Sequence, residues 1–182
     1  MDLAVKRQQV FGQNEEKVKL SGEHAKRLFR EMVLLRYLCS PFFGHVHPNL
    51  VTLFDVRAAR PLPADAFVYM LMNNAGSSLK SIVRGRDDFS LEQVRDLAWQ
   101  LLLALHYVHS AGFVHRDIKA DNVLIARLPA PEMGGAREWR LTMCDLGQAR
   151  SMLAEGRASG GGGGSGPATS GTVSIGTATY KA

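Results

Sequence analysis

The sequence predicts an α+β fold, and three observations carry that expectation. Short apolar runs of strand length recur along the chain, two longer stretches carry apolar residues at helical spacing, and glycine, proline and capping signals separate them. The first element is LAVK at Leu3–Lys6, an apolar run ending in a lysine, which suits a buried strand that directs one cation inward. In AKRLFREMVLLRYL, which follows it, Leu28, Met32, Leu35 and Leu38 repeat at helical spacing. Glu31 lies between Leu28 and Leu35 on the same inward stripe, and a carboxylate buried there needs a partner.

His47 before Pro48 fits a loop entering a strand at Leu50–Val56, and Phe67–Met72 reads as another apolar strand. Ser90 followed by Gln93 forms a capping-box signature. Val94, Leu97, Ala98, Leu101, Leu105 and Val108 then recur at three and four until Gly112 stops the helix, and this stripe is assigned to the core. Arg127 to Trp139 contains Pro129, Pro131, Gly134 and Gly135, which read as a surface hairpin loop between two strands. From Ala158 to Gly171 serine, glycine and alanine dominate, so this stretch cannot bury enough apolar surface to hold one conformation unaided.

Composition excludes several classes. The net charge of +5 comes from Lys and Arg scattered through the chain, with no compact basic run interleaved with aromatics, so no nucleic-acid partner is expected. Cys39 and Cys144 are the two cysteines, too few for a disulfide framework, which points to a reducing intracellular compartment, cytoplasm or nucleus. No signal peptide, membrane span or repeat is evident, and no membrane partner is expected. Six histidines include His45 and His47, but no finger spacing accompanies them, and zinc is set aside.

The chemistry concentrates in HRDIKADN at His115–Asn122 and DLG at Asp145–Gly147. With LAVK and the Glu31 helix upstream in that chain order, the sequence resembles the catalytic domain of a eukaryotic serine/threonine protein kinase. Within that family it most resembles the mitogen-activated group, on AKRLFREMVLLRYL, HPNLVTLFDV, HSAGFVHRDIK and CDLGQAR. The resemblance implies a two-lobe fold. Residues 1–72 would form part of the small lobe, 73–75 the hinge, 76–150 part of the large lobe with the catalytic loop, and 151–182 the activation segment.

It also implies ATP and Mg2+ as cofactors and proteins bearing Ser or Thr as substrates. Asp117 would receive the proton of the substrate hydroxyl, Lys119 would reach the transferred phosphate, and Asn122 and Asp145 would bind metal. Lys6, paired with Glu31, would be aimed at the α- and β-phosphates. Met72 would be the gatekeeper, backbone groups of Asn73 and Ala75 would bind adenine, and Ala4 and Leu124 would sandwich the ring. His115 would be a packing residue, and Cys144 a small core residue near the nucleotide.

Thr172 and Ser174 align with the group's Thr-x-Tyr phosphorylation pair, although here the triplet is Thr-Val-Ser. An upstream activating kinase would modify Thr172, whose phosphate would pair with Arg116; the missing tyrosine argues against a dual-specificity activator. Leu146 replaces the commoner phenylalanine of the metal-binding triplet, a smaller plug that leaves Asp145 untouched. Met1 leaves no room before LAVK for a Gly-rich loop, and the chain stops at Ala182 ahead of an expected Ala-Pro-Glu. The expectation is therefore a kinase domain truncated at both ends, poorly soluble and weakly active alone; the alternative is a pseudokinase acting as a binding or scaffold module.

Overall fold

The computed structural model describes residues 2–11, 22–40, 46–62, 65–85, 88–129 and 138–152. The low-complexity stretch, the tip of the predicted hairpin loop, Thr172 and Ser174 lie outside them. β1 (Leu3–Phe11), β2 (Leu53–Leu62) and β3 (Asp65–Asn73) form an antiparallel sheet in the order β1-β3-β2. β1 sets Ala4 opposite Met72 and Lys6 opposite Met70. Period-two alternation then places Ala4 and Lys6 on one face of the strand, while Leu3 and Val5 on the other face are 52% and 61% exposed.

The strand expected at Leu50–Val56 starts later, at Leu53, and runs on to Leu62. Residues before it are claimed by a different partner: the Val51 N–H donates to the Met143 carbonyl, and the Met143 N–H donates to the Asn49 carbonyl. Leu50 therefore makes an isolated bridge to Met143 and does not extend the first sheet.

α1 (Gly22–Leu38) buries Leu28, Leu34, Leu35 and Leu38, with Glu31 on the same stripe at 4% exposure. These leucines join Leu53, Met70, Ala104, Val108, Met143 and Leu146 in one hydrophobic cluster, so the three-stranded sheet and the helical part share a core. β4 (Ser77–Ser78), β6 (Val123–Arg127) and β7 (Trp139–Met143) make a second antiparallel sheet, order β4-β6-β7. Gly76, just before β4, has φ +91°, and a Cβ there would meet the Ile125 carbonyl oxygen at 2.3 Å, so only glycine lets the backbone cross β6 this closely. α2 (Leu79–Arg84) follows, capped by the Ser78 hydroxyl.

α3 (Leu91–Ser110) begins with the reciprocal capping box of Ser90 and Gln93, and Gly112 at φ +83° turns the chain after it. β5 (Phe113–Val114) and β8 (Arg150–Ser151) then bracket the catalytic-loop motif and the DLG triplet. The buried arc of α3 differs from the predicted stripe. Leu97, Gln100, Ala104 and Val108 face inward, while Val94 is 48% exposed and Ala98 is also exposed.

Polar bonding explains the rotation toward Gln100. Its Oε1 accepts from Asn49 Nδ2 at 2.9 Å and from the Leu141 N–H at 2.9 Å, and its Nε2 donates to Asp96 and to the Trp139 carbonyl. Asn49 Nδ2 also donates to the Leu141 carbonyl at 2.8 Å. Apolar spacing carries no record of such a network. The outward face retains Leu91, Trp99 and Leu102, each more than half exposed.

Gln100→Leu would leave the Leu141 N–H without its acceptor and cost Asn49 one of two, each orphaned donor costing about 1–3 kcal/mol. Chemical denaturation should show the variant less stable by about 2–3 kcal/mol; an unchanged midpoint would contradict this account of α3.

Candidate active site

Lys6 on β1 and Glu31 on α1 form an ion pair with Nζ–Oε1 at 2.6 Å. The Glu31 side chain is 6% exposed and that of Lys6 32%, so the carboxylate is buried and its cation reaches solvent. Burial pushes the Glu31 carboxyl above its ordinary 4.5; Lys6 pulls it back by charge and hydrogen bond, and the nearby Asp145 pushes it up again.

β3 runs directly into the predicted hinge. The Asn73 Oδ1 accepts from the Thr52 N–H at 2.6 Å, while the Asn73 N–H donates to the Thr52 carbonyl at 3.2 Å. That pair of bonds clips the end of β3 to the start of β2. The Asn74 N–H is taken by the Asp2 carbonyl at 2.9 Å, and Ala75 is buried at 6% exposure. Met72, partly buried, packs on the main core beside Ala4, its cross-strand neighbour; Leu124, also partly buried, lies on β6 opposite Ser78.

The loop His115–Asn122 buries His115, Asp117 and Asn122 and is internally bonded. His115, 1% exposed, accepts the Asp117 N–H at Nδ1, 3.3 Å, which leaves Nε2–H to donate to the Cys144 carbonyl at 3.0 Å. Burial keeps its pKa below the ordinary 6.5, so the ring is a neutral packing group. Asp117 Oδ2 accepts from Lys119 Nζ at 2.7 Å and from Asn122 Nδ2 at 3.0 Å, and Asn122 Nδ2 also donates to the Asp117 carbonyl at 2.8 Å. These bonds fix the Asp117 carboxylate and consume the amide nitrogen of Asn122, leaving its oxygen as the group available to a ligand.

Arg116 at φ 68° and Asp145 at φ 63° are the non-glycine residues with positive φ among the described residues. Both belong to the singled-out motifs, and such backbone persists only where surrounding bonds hold it. Asp145 Oδ1 accepts from the Gly147 N–H at 3.1 Å, and Leu146, 1% exposed, is a core plug.

Cys144 ties the stations together. Burial drives its thiol up to about 12; Asp145 and Glu31 add to the rise and Lys6 opposes it, so all three charged groups act on one sulfur. The Sγ donates weakly to the Asn122 carbonyl at 3.5 Å. The Lys6–Glu31 pair, Asn122 and Asp145 therefore all lie near Cys144, and a protonated thiol there is a packing group with little nucleophilic character.

Arg30 was legible in the sequence only as a charge flanking Glu31. The fold turns its Nη1 onto the Gly147 carbonyl at 2.6 Å and places Arg27, Arg116 and Arg150 near enough to lower its pKa, after burial itself, with Glu23 opposing. Lys80, bonded to both oxygens of Asp121 at 2.8 and 3.0 Å, was likewise missed. It joins α2 to the catalytic loop. No sequence pattern marks either contact, since each partner is distant along the chain.

Asn122 and Asp145 offer hard oxygen donors, the type magnesium takes while keeping several waters and phosphate oxygens. The donor set thus fits the ion expected from the sequence.

Lys6→Met would leave the Glu31 carboxyl buried without its cation. The expected loss is about 2 kcal/mol at neutral pH, below the range for a fully buried pair because Lys6 is partly solvated. Because the folded pKa of Glu31 is raised, its contribution to stability is fullest below 4.5 and falls as pH rises through the raised value. Removing Lys6 should steepen that fall; a melting-temperature series from pH 4 to 8 in which Lys6→Met and wild type run parallel would contradict it.

Comparisons with known proteins give the family. The sequence profile of the family described as "Protein kinase domain" matches residues 3–182. The chain is 36% identical over 110 residues to mitogen-activated protein kinase p38b of Drosophila melanogaster, covering 58% of this chain and 28% of that protein. It is 36% identical over 106 residues to mitogen-activated protein kinase pmk-1 of Caenorhabditis elegans, covering 56% and 25%. Against mitogen-activated protein kinase 12 of Oryza sativa subsp. japonica it is 30% identical over 129 residues, covering 71% of this chain and 19% of the relative. The matches thus span less than a third of these relatives' own length.

Proposed function

The chain belongs to the protein kinase domain family, and from that premise we propose that its crevice transfers the γ-phosphoryl group of ATP to Ser or Thr hydroxyls of protein substrates. The observation that carries the reading is the convergence of Lys6, Glu31, Asn122 and Asp145 around Cys144, beside the bonded Asp117 loop. Lys6, held by Glu31, places its ammonium against the α- and β-phosphates. Backbone groups of Asn73 and Ala75 hold adenine, with Met72 behind it and Ala4 and Leu124 on its two faces. Asn122 and Asp145 would hold magnesium, which would neutralise charge on the phosphates.

Asp117 orients the substrate hydroxyl and takes its proton as the oxygen–phosphorus bond forms and the γ-phosphorus–oxygen bond to ADP breaks. Lys119, already on Asp117 Oδ2, reaches the transferred group from the same loop as Asp117 and offsets its charge. A reducing intracellular setting, cytoplasm or nucleus, goes with this reading.

Regulation is proposed at the same place. Arg116 and Arg150 lie near enough to Arg30 to act on its charge, and three guanidinium groups suit a dianionic phosphate on Thr172 or Ser174 delivered by an upstream kinase. A second reading, a binding module without chemistry, draws support from the exposed Leu91, Val94, Trp99 and Leu102 face of α3.

The two readings separate by experiment. Magnesium-dependent ATP binding, followed by thermal shift on this chain and on the longest protein containing it, should be present. Asp117→Asn should keep that binding and lower phosphoryl transfer by about 10²–10⁴-fold. Binding and turnover both absent from wild type would favour the module. For regulation, mass spectrometry of protein from cells should find phosphate on Thr172 in the active fraction; high activity with Thr172 unmodified would remove that role.

A further inference from the structure

Resting on the phosphoryl-transfer reading, we propose that Arg30 is a positioning residue that sets the metal-side carboxylate of Asp145 from the helix carrying Glu31. Arg30 directly precedes Glu31 on α1, so one turn of helix presents both. The guanidinium Nη1 donates to the Gly147 carbonyl at 2.6 Å across 117 residues of sequence, a charge-assisted bond in a partly buried setting. The N–H of the same Gly147 donates to Asp145 Oδ1 at 3.1 Å. Gly147 is thus gripped at its carbonyl by α1 and itself grips the carboxylate.

The fit around Gly147 is close. A Cβ added there would crowd Asp145 Oδ1 at 3.1 Å and reach van der Waals contact with the Arg27 carbonyl oxygen at 3.6 Å, so the triplet packs directly against α1. Asp145 holds a left-handed φ of 63°, a conformation that needs outside bonds to persist. Arg30 keeps its place beside Arg27, Arg116 and Arg150, against like-charge repulsion. Through Glu31 on one side and Gly147 on the other, α1 therefore sets the phosphate-side ammonium and the metal-side carboxylate from one rigid element. Bonds of this kind, one step out from a ligand, orient it and tune metal affinity.

Electrostatics and positioning predict opposite signs, which makes the proposal testable. Removing a nearby cation by charge alone would tighten magnesium binding; losing the hold on Asp145 would weaken it. Unphosphorylated chain is titrated with the fluorescent nucleotide mant-ATP, without metal and across a MgCl2 series. Arg30→Gln should raise the magnesium concentration for half-maximal nucleotide binding about tenfold, the lower end of effects from such outer bonds, with metal-free affinity unchanged. Arg30→Lys should recover part of the loss.

An Arg30→Gln protein with a wild-type or lower magnesium requirement overturns the proposal, as does an equal loss with and without metal. Should Arg30→Gln fail to melt cooperatively, Gly147→Ala decides: it disturbs the same link from the other side, and a wild-type magnesium requirement in that variant overturns the proposal. Wild type that shows no magnesium effect defeats the phosphoryl-transfer reading and this inference with it, an outcome distinct from a contradiction seen in the variants alone.

Discussion

A buried carboxylate with one accessible cation is the interaction on which the arrangement turns. Glu31 sits on the inward stripe of α1 among leucines that must be covered, so it cannot escape to solvent without uncovering them. Its charge is tolerable there because Lys6 meets it at 2.6 Å. That requirement fixes the distance between β1 and α1, and with it the direction of the Lys6 ammonium. Because Lys6 keeps about a third of its side chain in solvent, its ammonium stays open to a second, solvent-borne anion. The pair is strong enough to orient the lysine and open enough to share it.

The other half of the site depends on a hydrogen-bond lattice with few apolar members. Asn49 and Gln100 pin β7 to α3 and to the loop before β2, which fixes where the chain emerges at Cys144 and Asp145. His115 and Asn122 then tie the catalytic loop to that same exit, one through the Cys144 carbonyl and the other through the Cys144 N–H. Helix α3 contributes through the bonds of Gln100 and through Leu97, Ala104 and Val108.

Much of this was legible in the sequence, for reasons that differ by residue. Helices α1 and α3 and the longer strands followed from spacing, whereas the short β4, α2, β5 and β8 did not, and Ser90 with Gln93 announced the α3 terminus because a capping box is a local bond. Asp117, Asn122 and Asp145 stand out in the sequence because each lies in a compact motif, Lys6 because it ends an apolar run, and Glu31 because it interrupts an inward apolar stripe. Val94 and Ala98 lie outside the buried arc because periodicity weighs apolar residues alike and has no means of seeing that Gln100 has three partners beyond α3, at Asn49, Leu141 and Trp139. Leu50 was read as strand since an apolar residue beside a proline-containing turn looks the same whether it pairs with β3 or bridges to Met143. Arg30 and Lys80 escaped because a surface-type charge reveals its partner only after the chain has folded.

Gly76 has a mechanical corollary. Its backbone lies so near Ile125 that this point of the chain is seated on the second sheet, while Asn73 is clipped to Thr52 on the first. Any rocking of one sheet against the other bends the chain between those anchors, at Asn74 and Ala75, as well as straining the bonds of Asn49 and Val51 to Met143. A pivot only a couple of peptides long permits bending in few directions, so the crevice mouth would open along a narrow arc. A side chain at Gly76 would act as a wedge at the fulcrum and alter the resting gape, even though glycine itself offers a nucleotide no functional group.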